Sequence, residues 1–384
     1  MHDLSTVVFA GGGTGGHLYP AMAMAEEMAN QRSGTRPVFI GASKGIESRI
    51  LPDTGLEYDL LPVRGWKRGS VWVNLGVPYA LLKSILTAVK LHKEYRSDLV
   101  VVTGGYSSAP AGLAAVMLGI PLVLQEQNAY PGVTTRILSL WAKQIHLSFP
   151  EAIKKLPVVA RDRVLISGCP IQPPPKVRLN REEMLKTFGL DLDRKVLLVT
   201  GGSQGSIDLN ELIWKGLRID GARKRNFFSN WQILWVTGIK NYEAVDSRVE
   251  GLGRSSNVRV VPYVNNMAKA LTVTDLAISR AGAMTTSEFL AWGIPSILVP
   301  LPTAAANHQE LNALAIQELG AGLCRTQKDL TSSQLWKEVL QLTEDDEILA
   351  KMADRAVENS RPEATSNVVS SILELLSKPT KSWS

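Results

Sequence analysis

The chain has few of the residues that build disulfide-linked or metal-stabilised folds. Only two of its 384 residues are cysteines, Cys169 and Cys324, and five are histidines. The cysteines lie far apart and belong to no C-x-x-C pair, which argues against a disulfide framework or a structural zinc site. We therefore expect a cytoplasmic protein with no bound metal and no cofactor.

Long apolar runs are also missing. No stretch approaches the roughly 20 apolar residues that a membrane-spanning helix needs. The first residues lack a basic region followed by an apolar one, so we expect no signal peptide. The 42 basic and 36 acidic residues give a net charge of +6, which favours anionic partners. Charge alone leaves nucleotide sugars, acidic lipids and nucleic acids as candidates.

What the sequence does contain is a regular alternation of strand-like and helical patterns. Such alternation is typical of parallel sheets with crossover helices. The predicted strands are Thr6–Ala10, Pro37–Ile40, Asp98–Thr103, Pro121–Leu124, Arg163–Ile166, Lys195–Thr200, Trp231–Thr237, Val258–Val261, Leu276–Ser279 and Ser296–Val299. A hydrophobic content of 45% over this length is sufficient for two cores.

The proline-rich segment Cys169–Pro175 excludes a helix and indicates a hinge between two domains. We predict an α/β fold in which two Rossmann-like domains with parallel sheets face each other across a cleft. The predicted domains are residues 1–168 and 169–355. A C-terminal helix within residues 356–384, with its strongest pattern at Ala364–Ser377, is expected to pack back on the first domain.

Two glycine-rich turns follow predicted strands: GGGTGGH (Gly11–His17) and GGSQG (Gly201–Gly205). Glycine allows close backbone approach to a ligand, and the helix start behind the turn offers N–H groups to an anion. The first turn also satisfies G-x-G-x-x-G, but a dinucleotide site needs an acidic residue at the end of the second strand. Gly41-Ala42-Ser43 stands there, so we reject a dehydrogenase and expect a phosphate or sugar diphosphate.

A third motif, Ser279–Glu288, follows the predicted strand Leu276–Ser279 and indicates a helix that begins near Thr285 and stops at Gly293. Backbone N–H groups at its start would face a diphosphate, and Glu288 would accept hydrogen bonds from both ribose hydroxyls. The alternative is a capping box, in which Thr285 caps the helix and Glu288 reaches back. Asp191-Leu192-Asp193 resembles a cation-binding D-x-D pair, but its place before a strand favours a turn.

Three further motifs complete an ordered series: GGYSSAPAG (Gly104–Gly112), EQN (Glu126–Asn128) and NHQELNA (Asn307–Ala313). Over roughly residues 6 to 375, the six motifs together resemble the MurG family of UDP-N-acetylglucosamine transferases, glycosyltransferase family 28, with the GT-B fold. The resemblance implies a metal-independent, inverting transfer of N-acetylglucosamine from UDP-GlcNAc. The implied acceptor is the C4 hydroxyl of MurNAc in undecaprenyl-pyrophosphoryl-MurNAc-pentapeptide (lipid I), and the product is lipid II.

The resemblance also implies a peripheral location at the cytoplasmic face of the plasma membrane. Cell-wall synthesis and division proteins are expected as further partners, and nucleic acid is not. Two other hypotheses remain open. One is another GT-B transferase with a different lipid or small-molecule acceptor, and the other is a non-catalytic UDP-sugar-binding membrane scaffold.

The family implies which residues bind each substrate. In the second domain, Ser203 and the helix start would bind the donor diphosphate, and main-chain groups near Val264 would bind uracil. The expected donor set is Thr14, Gly15, Gly16, Asn128, Ser203, Val264, Ala283, Met284, Thr285, Thr286, Ser287, Glu288 and Gln309. The expected acceptor set is Thr14, His17, Gly105 and Tyr106. Asn128 and Gln309 offer amides that suit sugar hydroxyls, although each could instead serve a cap or turn.

Inversion by direct displacement needs one base to take the proton of the acceptor hydroxyl. His17 is our candidate, because an imidazole exchanges protons near neutral pH and this one closes a phosphate-type loop. The alternative roles for His17 are to order the loop or to contact the acceptor phosphate.

A segment of mixed apolar and basic residues suits an anionic bilayer. Its members are Trp66, Lys67, Arg68, Trp72, Leu75, Val77, Tyr79, Leu82, Lys83, Ile85, Leu86, Lys90 and Lys93. The alternative is an ordinary amphipathic helix. Two positions depart from the family pattern, Gln172 where an Arg is common and Ala306 where an Asp is common. Gln172 is expected to weaken donor binding without removing activity.

Overall fold

The computed structural model describes residues 4–32, 34–65, 76–177, 179–218, 227–251 and 257–377. The chain divides into two compact units. Unit 1 takes in the described residues of Met1–Gln172 and Glu363–Ser384, and unit 2 takes in those of Pro173–Pro362. Unit 1 is therefore built from two separate pieces of chain, and unit 2 lies between them in the sequence.

Unit 1 is organised around a sheet of seven described strands whose pairings are all parallel. The strands are β1 (Ser5–Gly11), β2 (Thr35–Ala42), β3 (Glu57–Leu61), β4 (Ser97–Gly104), β5 (Leu122–Glu126), β6 (Gln144–Leu147) and β7 (Val164–Ile166). Their order in the sheet is β3-β2-β1-β4-β5-β6-β7. Strand order therefore reverses between β1 and β4, which are hydrogen-bonded neighbours.

Helices cover both faces of this sheet, which explains why its strands are apolar runs rather than alternating ones. The helices of unit 1 are α1 (Gly15–Gln31), α2 (Glu47–Ile50), α3 (Val77–Tyr95), α4 (Ala109–Leu118) and α5 (Val133–Leu138). Val8 and Ala10 of β1 belong to one core cluster, and Val7 and Phe9 belong to the other. Both faces of the central strand are thus fully buried.

The terminal helix, Ala364–Ser377, belongs to unit 1, although it follows unit 2 in the sequence. It buries Val368, Val369 and Ile372 in the core cluster that also contains residues of β1 and α1. The Thr365 hydroxyl donates a hydrogen bond to the Ile171 carbonyl oxygen at 2.6 Å. Unit 1 therefore needs this last helix to complete one face of its core.

Unit 2 has a sheet of six described strands, again with parallel pairings throughout. The strands are β8 (Lys195–Thr200), β9 (Trp231–Val236), β10 (Val258–Val261), β11 (Leu276–Ser279), β12 (Ser296–Leu298) and β13 (Gly322–Cys324). The order β10-β9-β8-β11-β12-β13 reverses between β8 and β11. The two sheets thus share one topology over their first six strands, the arrangement of a doubly wound Rossmann fold.

The helices of unit 2 alternate with these strands. They are α6 (Arg181–Phe188), α7 (Ile207–Arg218), α8 (Tyr242–Glu250), α9 (Met267–Val273), α10 (Ala283–Trp292), α11 (His308–Glu318), α12 (Ser332–Thr343) and α13 (Asp346–Glu358). The terminal helix Ala364–Ser377 is α14. Asp191, one of the two D-x-D carboxylates, accepts a hydrogen bond from the Asp193 N–H at 3.0 Å in the turn before β8.

The ten predicted strands are confirmed, and their ends differ from the predicted ones by at most two residues. Three strands were not predicted: β3, β6 and β13. Ligands of doubly wound folds bind beyond the carboxyl ends of the strands, where the strand order reverses. In this chain GGGTGGH follows β1, GGYSSAPAG follows β4, GGSQG follows β8 and the Ser279–Glu288 motif follows β11. Each unit thus carries two of the motifs at its own switch point.

Candidate active site

The first glycine turn connects β1 to α1. Gly13 has a φ of 79°, in the region that favours glycine, and Thr14 is extended before α1 begins at Gly15. The N–H groups of Gly15 and Gly16 therefore belong to the first turn of a helix, where no helical carbonyl lies in reach. The Gly13 N–H donates a 2.9 Å hydrogen bond to Glu47, a residue that the sequence did not indicate.

His17 is held by two acceptors on one side of its ring. Its Nδ1 lies 3.0 Å from the Thr103 carbonyl oxygen and 3.1 Å from Oε1 of Gln127. A carbonyl oxygen can only accept, so Nδ1 carries the proton of the neutral ring and Nε2 keeps its lone pair. In the described part of the chain, no protein group bonds Nε2. The half-buried imidazole is thus fixed in the tautomer that can accept a proton.

The backbone after β4 packs directly against this imidazole. Gly104 and Gly105 have φ values of 99° and 81°. A Cβ at Gly104 would lie 3.0 Å from His17 Nδ1, and one at Gly105 would overlap the Gly12 carbonyl oxygen. The two glycine loops of unit 1 are therefore in contact, and the close approach requires glycine at both positions.

Tyr106 covers the first turn from the other side. A Cβ at Gly13 would lie 2.8 Å from Cε1 of the Tyr106 ring, so the ring rests on the glycine backbone. Burial and, less strongly, the Glu47 charge raise the pKa of Tyr106 and keep its hydroxyl protonated. Tyr106 can therefore serve as a hydrogen-bond donor beside Gly13.

The EQN motif supplies a buried carboxylate at the end of β5. Glu126 is 2% exposed and accepts hydrogen bonds from the Asn128 N–H, the Asn128 side chain, the Gly132 N–H and the Thr135 hydroxyl. Asn128 is thus held by Glu126 through its side-chain amide. Gln127 donates to the Thr103 carbonyl at 2.9 Å, which orients its Oε1 toward His17. Gln127 and Thr103 are site residues that we had not predicted.

In unit 2, the GGSQG turn packs against Gly238, which follows β9. Gly202, Gly205 and Gly238 all have positive φ. A Cβ at Gly238 would lie 2.7 Å from the Gln204 carbonyl oxygen. Ser203 stands exposed at the tip of the turn. The close contact at Gly205 and Gly238 holds the turn at the end of β8, and the Ser203 hydroxyl is accessible to a ligand.

Arg280 ties the GGSQG turn to the third motif, a connection that sequence analysis missed. Its guanidinium is 5% exposed and donates from Nε and Nη2 to the Ser206 hydroxyl oxygen at 3.0 and 2.8 Å. Nη1 donates to the carbonyl oxygens of Val299 and Pro300, both at 3.1 Å. Burial lowers the pKa of Arg280. The side chain thus joins the loops after β8, β11 and β12.

Helix α10 begins at Ala283, after Gly282 as the N-cap residue, and no side chain caps it. The capping box weighed for Thr285 and Glu288 is therefore absent, because Thr285 is the third helical residue. Thr286 is buried and donates to the Ala283 carbonyl oxygen at 3.0 Å. The N–H groups at the start of this ten-residue helix are oriented as an anion-binding end requires.

Glu288 lies in the second turn of α10 and is half-buried. Burial raises the pKa of this carboxyl from 4.5 to about 7. Among the residues that the structure describes, none donates a hydrogen bond to it. A carboxylate with unused acceptor capacity can bind two hydroxyl donors, as a ribose would present them.

The remaining predicted donor residues lie on neighbouring loops of unit 2. Val264 follows β10, and its main-chain N–H and C=O bond to no described residue. Gln309, in the first turn of α11, accepts a 2.9 Å hydrogen bond from the Leu301 N–H through Oε1. Its Nε2 has no partner in the described ranges. Ala306 and Asn307, just before α11, have φ of 50° and 56°.

The structure therefore groups the predicted residues by unit. Thr14, Gly15, Gly16, His17, Gly105, Tyr106 and Asn128 belong to unit 1, whereas Ser203, Val264, Ala283, Met284, Thr285, Thr286, Ser287, Glu288 and Gln309 belong to unit 2. Gln172 is exposed at the end of the first of the two pieces of unit 1. Trp66, Lys67, Arg68, Trp72 and Leu75 lie outside the described residues.

The exposed face of α3 carries the described part of the apolar and basic segment. Tyr79, Leu82 and Leu86 are 72%, 57% and 59% exposed, while Lys83 and Lys90 are exposed on the same helix. Ser84, Ala88 and His92 form the opposite, buried face. No helix within the described ranges is long and apolar enough to cross a membrane.

Comparison with known proteins agrees with this architecture. Residues 7–147 match the family model for the glycosyltransferase family 28 N-terminal domain, and residues 196–368 match that for its C-terminal domain. A protein of Moorella thermoacetica named UDP-N-acetylglucosamine–N-acetylmuramyl-(pentapeptide) pyrophosphoryl-undecaprenol N-acetylglucosamine transferase is 37% identical, over 96% of this chain and 98% of its own. A protein of Clostridioides difficile with the same name is 34% identical over 98% and 91%.

Solved structures give the same result. A crystal structure of MurG from Acinetobacter baumannii superposes with a TM-score of 0.73 at 28% identity, covering 96% of this chain and 99% of that one. UDP-GlcNAc 2-epimerase of Neisseria meningitidis, bound to UDP-GlcNAc, has a TM-score of 0.66 at 14% identity over 96% and 99% and shares the fold. The GT-B class is thus confirmed. The chain belongs to glycosyltransferase family 28, in the group of MurG enzymes, and is a glycosyltransferase.

Proposed function

We propose that this chain transfers N-acetylglucosamine from UDP-GlcNAc to lipid I and so forms lipid II. The observation that carries the proposal is the placement of the six motifs. Four of them follow strands at the two switch points, two in each unit, and they place His17 at the switch point of unit 1 and the start of α10 at that of unit 2. Relatives named for this activity match over nearly the whole chain, so the substrates that their names state are the ones we assign here.

In the proposed reaction, the C4 hydroxyl oxygen of the MurNAc sugar attacks the anomeric carbon of the donor. A bond to the incoming oxygen forms while the bond to the UDP oxygen breaks, so configuration inverts. His17 Nε2 takes the hydroxyl proton. The Thr103 carbonyl and Gln127 Oε1 accept from the opposite nitrogen and stabilise the imidazolium that results.

The UDP part of the donor is assigned to unit 2. The diphosphate would bind the N–H groups at the start of α10 and the Ser203 hydroxyl, where the helix dipole stabilises the charge that develops on departing UDP. Arg280, fixed between the two loops, adds a positive charge at this edge of the sheet. The ribose hydroxyls would donate to Glu288, and the main chain at Val264 would bind uracil. Gln309 Nε2 would donate to a sugar hydroxyl.

Arg280 also bears on the Gln172 departure. The family cation expected near the donor phosphates is absent at Gln172, which is exposed and uncharged. The buried guanidinium of Arg280 still supplies one positive charge next to the GGSQG turn. We therefore propose an active enzyme whose donor affinity is lowered by about 1–3 kcal/mol, the value of one charge-assisted hydrogen bond.

The acceptor is assigned to unit 1. Its diphosphate would bind the N–H groups at the start of α1 and the loop Gly104–Ser107, beside the Tyr106 hydroxyl. The α3 face would rest on the cytoplasmic surface of an anionic bilayer, with its apolar side chains in the interface and its lysines near lipid phosphates. We propose a peripheral membrane enzyme that meets its lipid substrate at this surface.

A transfer assay tests the function directly. Purified protein is incubated with UDP-GlcNAc labelled in the sugar and a lipid I analogue, in buffer containing a metal chelator. We expect label in the disaccharide product and inhibition by UDP but not by GDP or TDP. Transfer only to other acceptors would instead indicate another GT-B transferase. Saturable UDP binding without transfer to any acceptor would indicate the non-catalytic scaffold.

A further inference from the structure

One buried carboxylate lies beneath the first glycine turn and has no part in the proposed reaction. Glu47, the first residue of α2, is 0% exposed. Its Oε2 accepts a hydrogen bond from the Gly13 N–H at 2.9 Å, and its Oε1 accepts one from the Ala42 N–H at 3.1 Å. The carboxylate therefore joins the turn after β1 to the end of β2, and Glu47 lies 34 residues after Gly13 in the sequence.

Three glycines make room for this side chain. A Cβ at Gly12 or Gly45 would overlap the Glu47 carboxylate, and one at Gly41 would lie 2.9 Å from Glu47 Cβ. For Gly12 and Gly45, the three nearest atoms that such a Cβ would meet all belong to Glu47. Neither glycine has a positive φ, so Glu47 rather than backbone conformation restricts these two positions.

A short series of contacts leads from Glu47 to His17. Glu47 holds Gly13 and packs on Gly12. A Cβ at Gly105 would overlap the Gly12 carbonyl oxygen and would lie 3.2 Å from His17 Cδ2, so the Gly105 backbone contacts both residues. Close-packed atoms transmit small shifts, because they leave no void to absorb them. Displacement of Gly12 would therefore move the Gly105 backbone against which the imidazole rests.

We propose that Glu47 is a positioning residue for the acceptor half of the reaction. It fixes the GGGTGGH turn and, through Gly12 and Gly105, the place of the His17 ring, without contacting either substrate. Its carboxylate uses the Gly13 N–H, so this N–H holds the turn in place instead of binding a phosphate. The inference rests on the proposed transfer to lipid I, with His17 as the base.

The variant Glu47→Gln tests the role with little change in volume. A glutamine retains one acceptor but turns an NH₂ group toward the second backbone N–H. We expect kcat to fall about 10- to 100-fold, the effect of displacing a catalytic group by a fraction of an ångström to 1 Å. The dissociation constant for UDP, measured by calorimetry, should stay within about 2-fold, because the UDP groups are assigned to unit 2. A general loss of folded protein would change both constants or the active fraction.

Asp98→Asn is the matched control. Asp98 also accepts a hydrogen bond from a backbone N–H of β1, that of Thr6 at 2.8 Å, but at the opposite end of the strand. Its kcat should stay within about 2-fold of the parent. A Glu47→Gln variant with parental kcat, or one no worse than Asp98→Asn, would overturn the proposal. Absence of transfer in the parent chain would instead contradict the proposed function.

If Glu47→Gln does not fold, a double-mutant cycle tests the packing of Glu47 against Gly12. Gly12→Ala should lower the unfolding temperature of unit 1 in the parent chain. In a Glu47→Ala background the same change should have a much smaller effect, because the atoms it would meet are gone. If Gly12→Ala costs the same in both backgrounds, Glu47 does not determine the position of the turn.

Discussion

At the residue scale, His17 illustrates how distant parts of the chain determine the state of one side chain. The GGGTGGH motif indicated the histidine, but its tautomer depends on Thr103 and Gln127, which are 86 and 110 residues away. Sequence spacing contains no information on those contacts. Glu47 and Arg280 were missed for the same reason, because each acts through backbone groups of another loop.

For His17→Ala we expect kcat to fall at least about 100-fold, the lower range for loss of a general base. The KM for UDP-GlcNAc should change little, because His17 is assigned to proton transfer and is not among the expected donor residues. Steady-state transfer to a lipid I analogue measures both constants. Near-parental turnover would exclude His17 as the base and favour a role in ordering the loop.

Glu288 should make donor binding depend on pH. Burial raises the pKa of its carboxyl to about 7, so the ionised fraction, which we propose accepts the ribose hydroxyls, grows between pH 6 and 8. We expect the KM for UDP-GlcNAc to fall about 3- to 10-fold over that range. In Glu288→Gln the KM should be higher and this dependence should disappear. An equal pH dependence in both proteins would contradict the ribose assignment.

The same shift affects stability. The folded state binds the Glu288 proton more tightly than the unfolded state, so protonation of Glu288 stabilises the folded state. This contribution is complete below about pH 4.5 and is lost as the pH rises through about 7. In the absence of donor, the free energy of unfolding of Glu288→Gln at pH 8 should exceed that of the parent by about 1–3 kcal/mol. Denaturant titration measures it. At pH 5 the two should be nearly equal. A lower stability of the variant at pH 8 would be inconsistent with a costly buried charge.

At the scale of elements, apolar patterning predicted ten strands and failed where the pattern is weak. β6 contains Gln144 and the buried His146, whose Nδ1 lies 2.7 Å from the Ser167 hydroxyl, so a polar residue occupies a core position. β13 has only three residues, and β3 is an edge strand with Glu57 exposed. The end of α10 at Gly293 was predicted from its glycine, whereas the helix starts at Ala283, two residues before the Thr285 that we expected.

The α3 face provides a prediction at this scale. Leu82→Asp with Leu86→Asp should reduce binding to vesicles of anionic phospholipid about 10-fold or more, because two exposed apolar side chains no longer enter the interface. Co-sedimentation measures the effect. Transfer to a water-soluble acceptor analogue should be unchanged. Ile348→Asp, at an exposed position of α13 in unit 2, is the control and should bind vesicles as the parent does.

At the scale of the whole molecule, the two sheets repeat one strand order, yet only unit 1 is assembled from both ends of the chain. The sequence predicted two Rossmann-like domains because strand and helix patterns resume after the prolines. The strand order itself follows from pairings such as Gly11 with Gly104, which lie too far apart in sequence for local patterns to indicate.

Substitutions in α14 should therefore affect unit 1 alone. Ile372→Ala removes a fully buried side chain from the unit 1 core and should lower its stability by about 2–5 kcal/mol. Binding of UDP, measured by calorimetry, should remain as in the parent, because the UDP groups are assigned to unit 2. Ile213→Ala, an equally buried change in α7, should lower the stability of unit 2 instead. Loss of donor binding in Ile372→Ala would show that the two units do not unfold independently.

Because unit 1 is built from both ends of the chain, we expect it to complete its folding after unit 2 during synthesis. The ribosome completes Pro173–Pro362 before α14 emerges, whereas the β1 face that receives Val368, Val369 and Ile372 is made early. Domains fold as their chains become available. Released chains truncated after Pro362 should thus protect unit 2 from protease while leaving unit 1 sensitive, and equal protection of both would refute this. Unit 1, to which we assign the acceptor, would therefore be the part that depends longest on chaperones, although most of it is translated first.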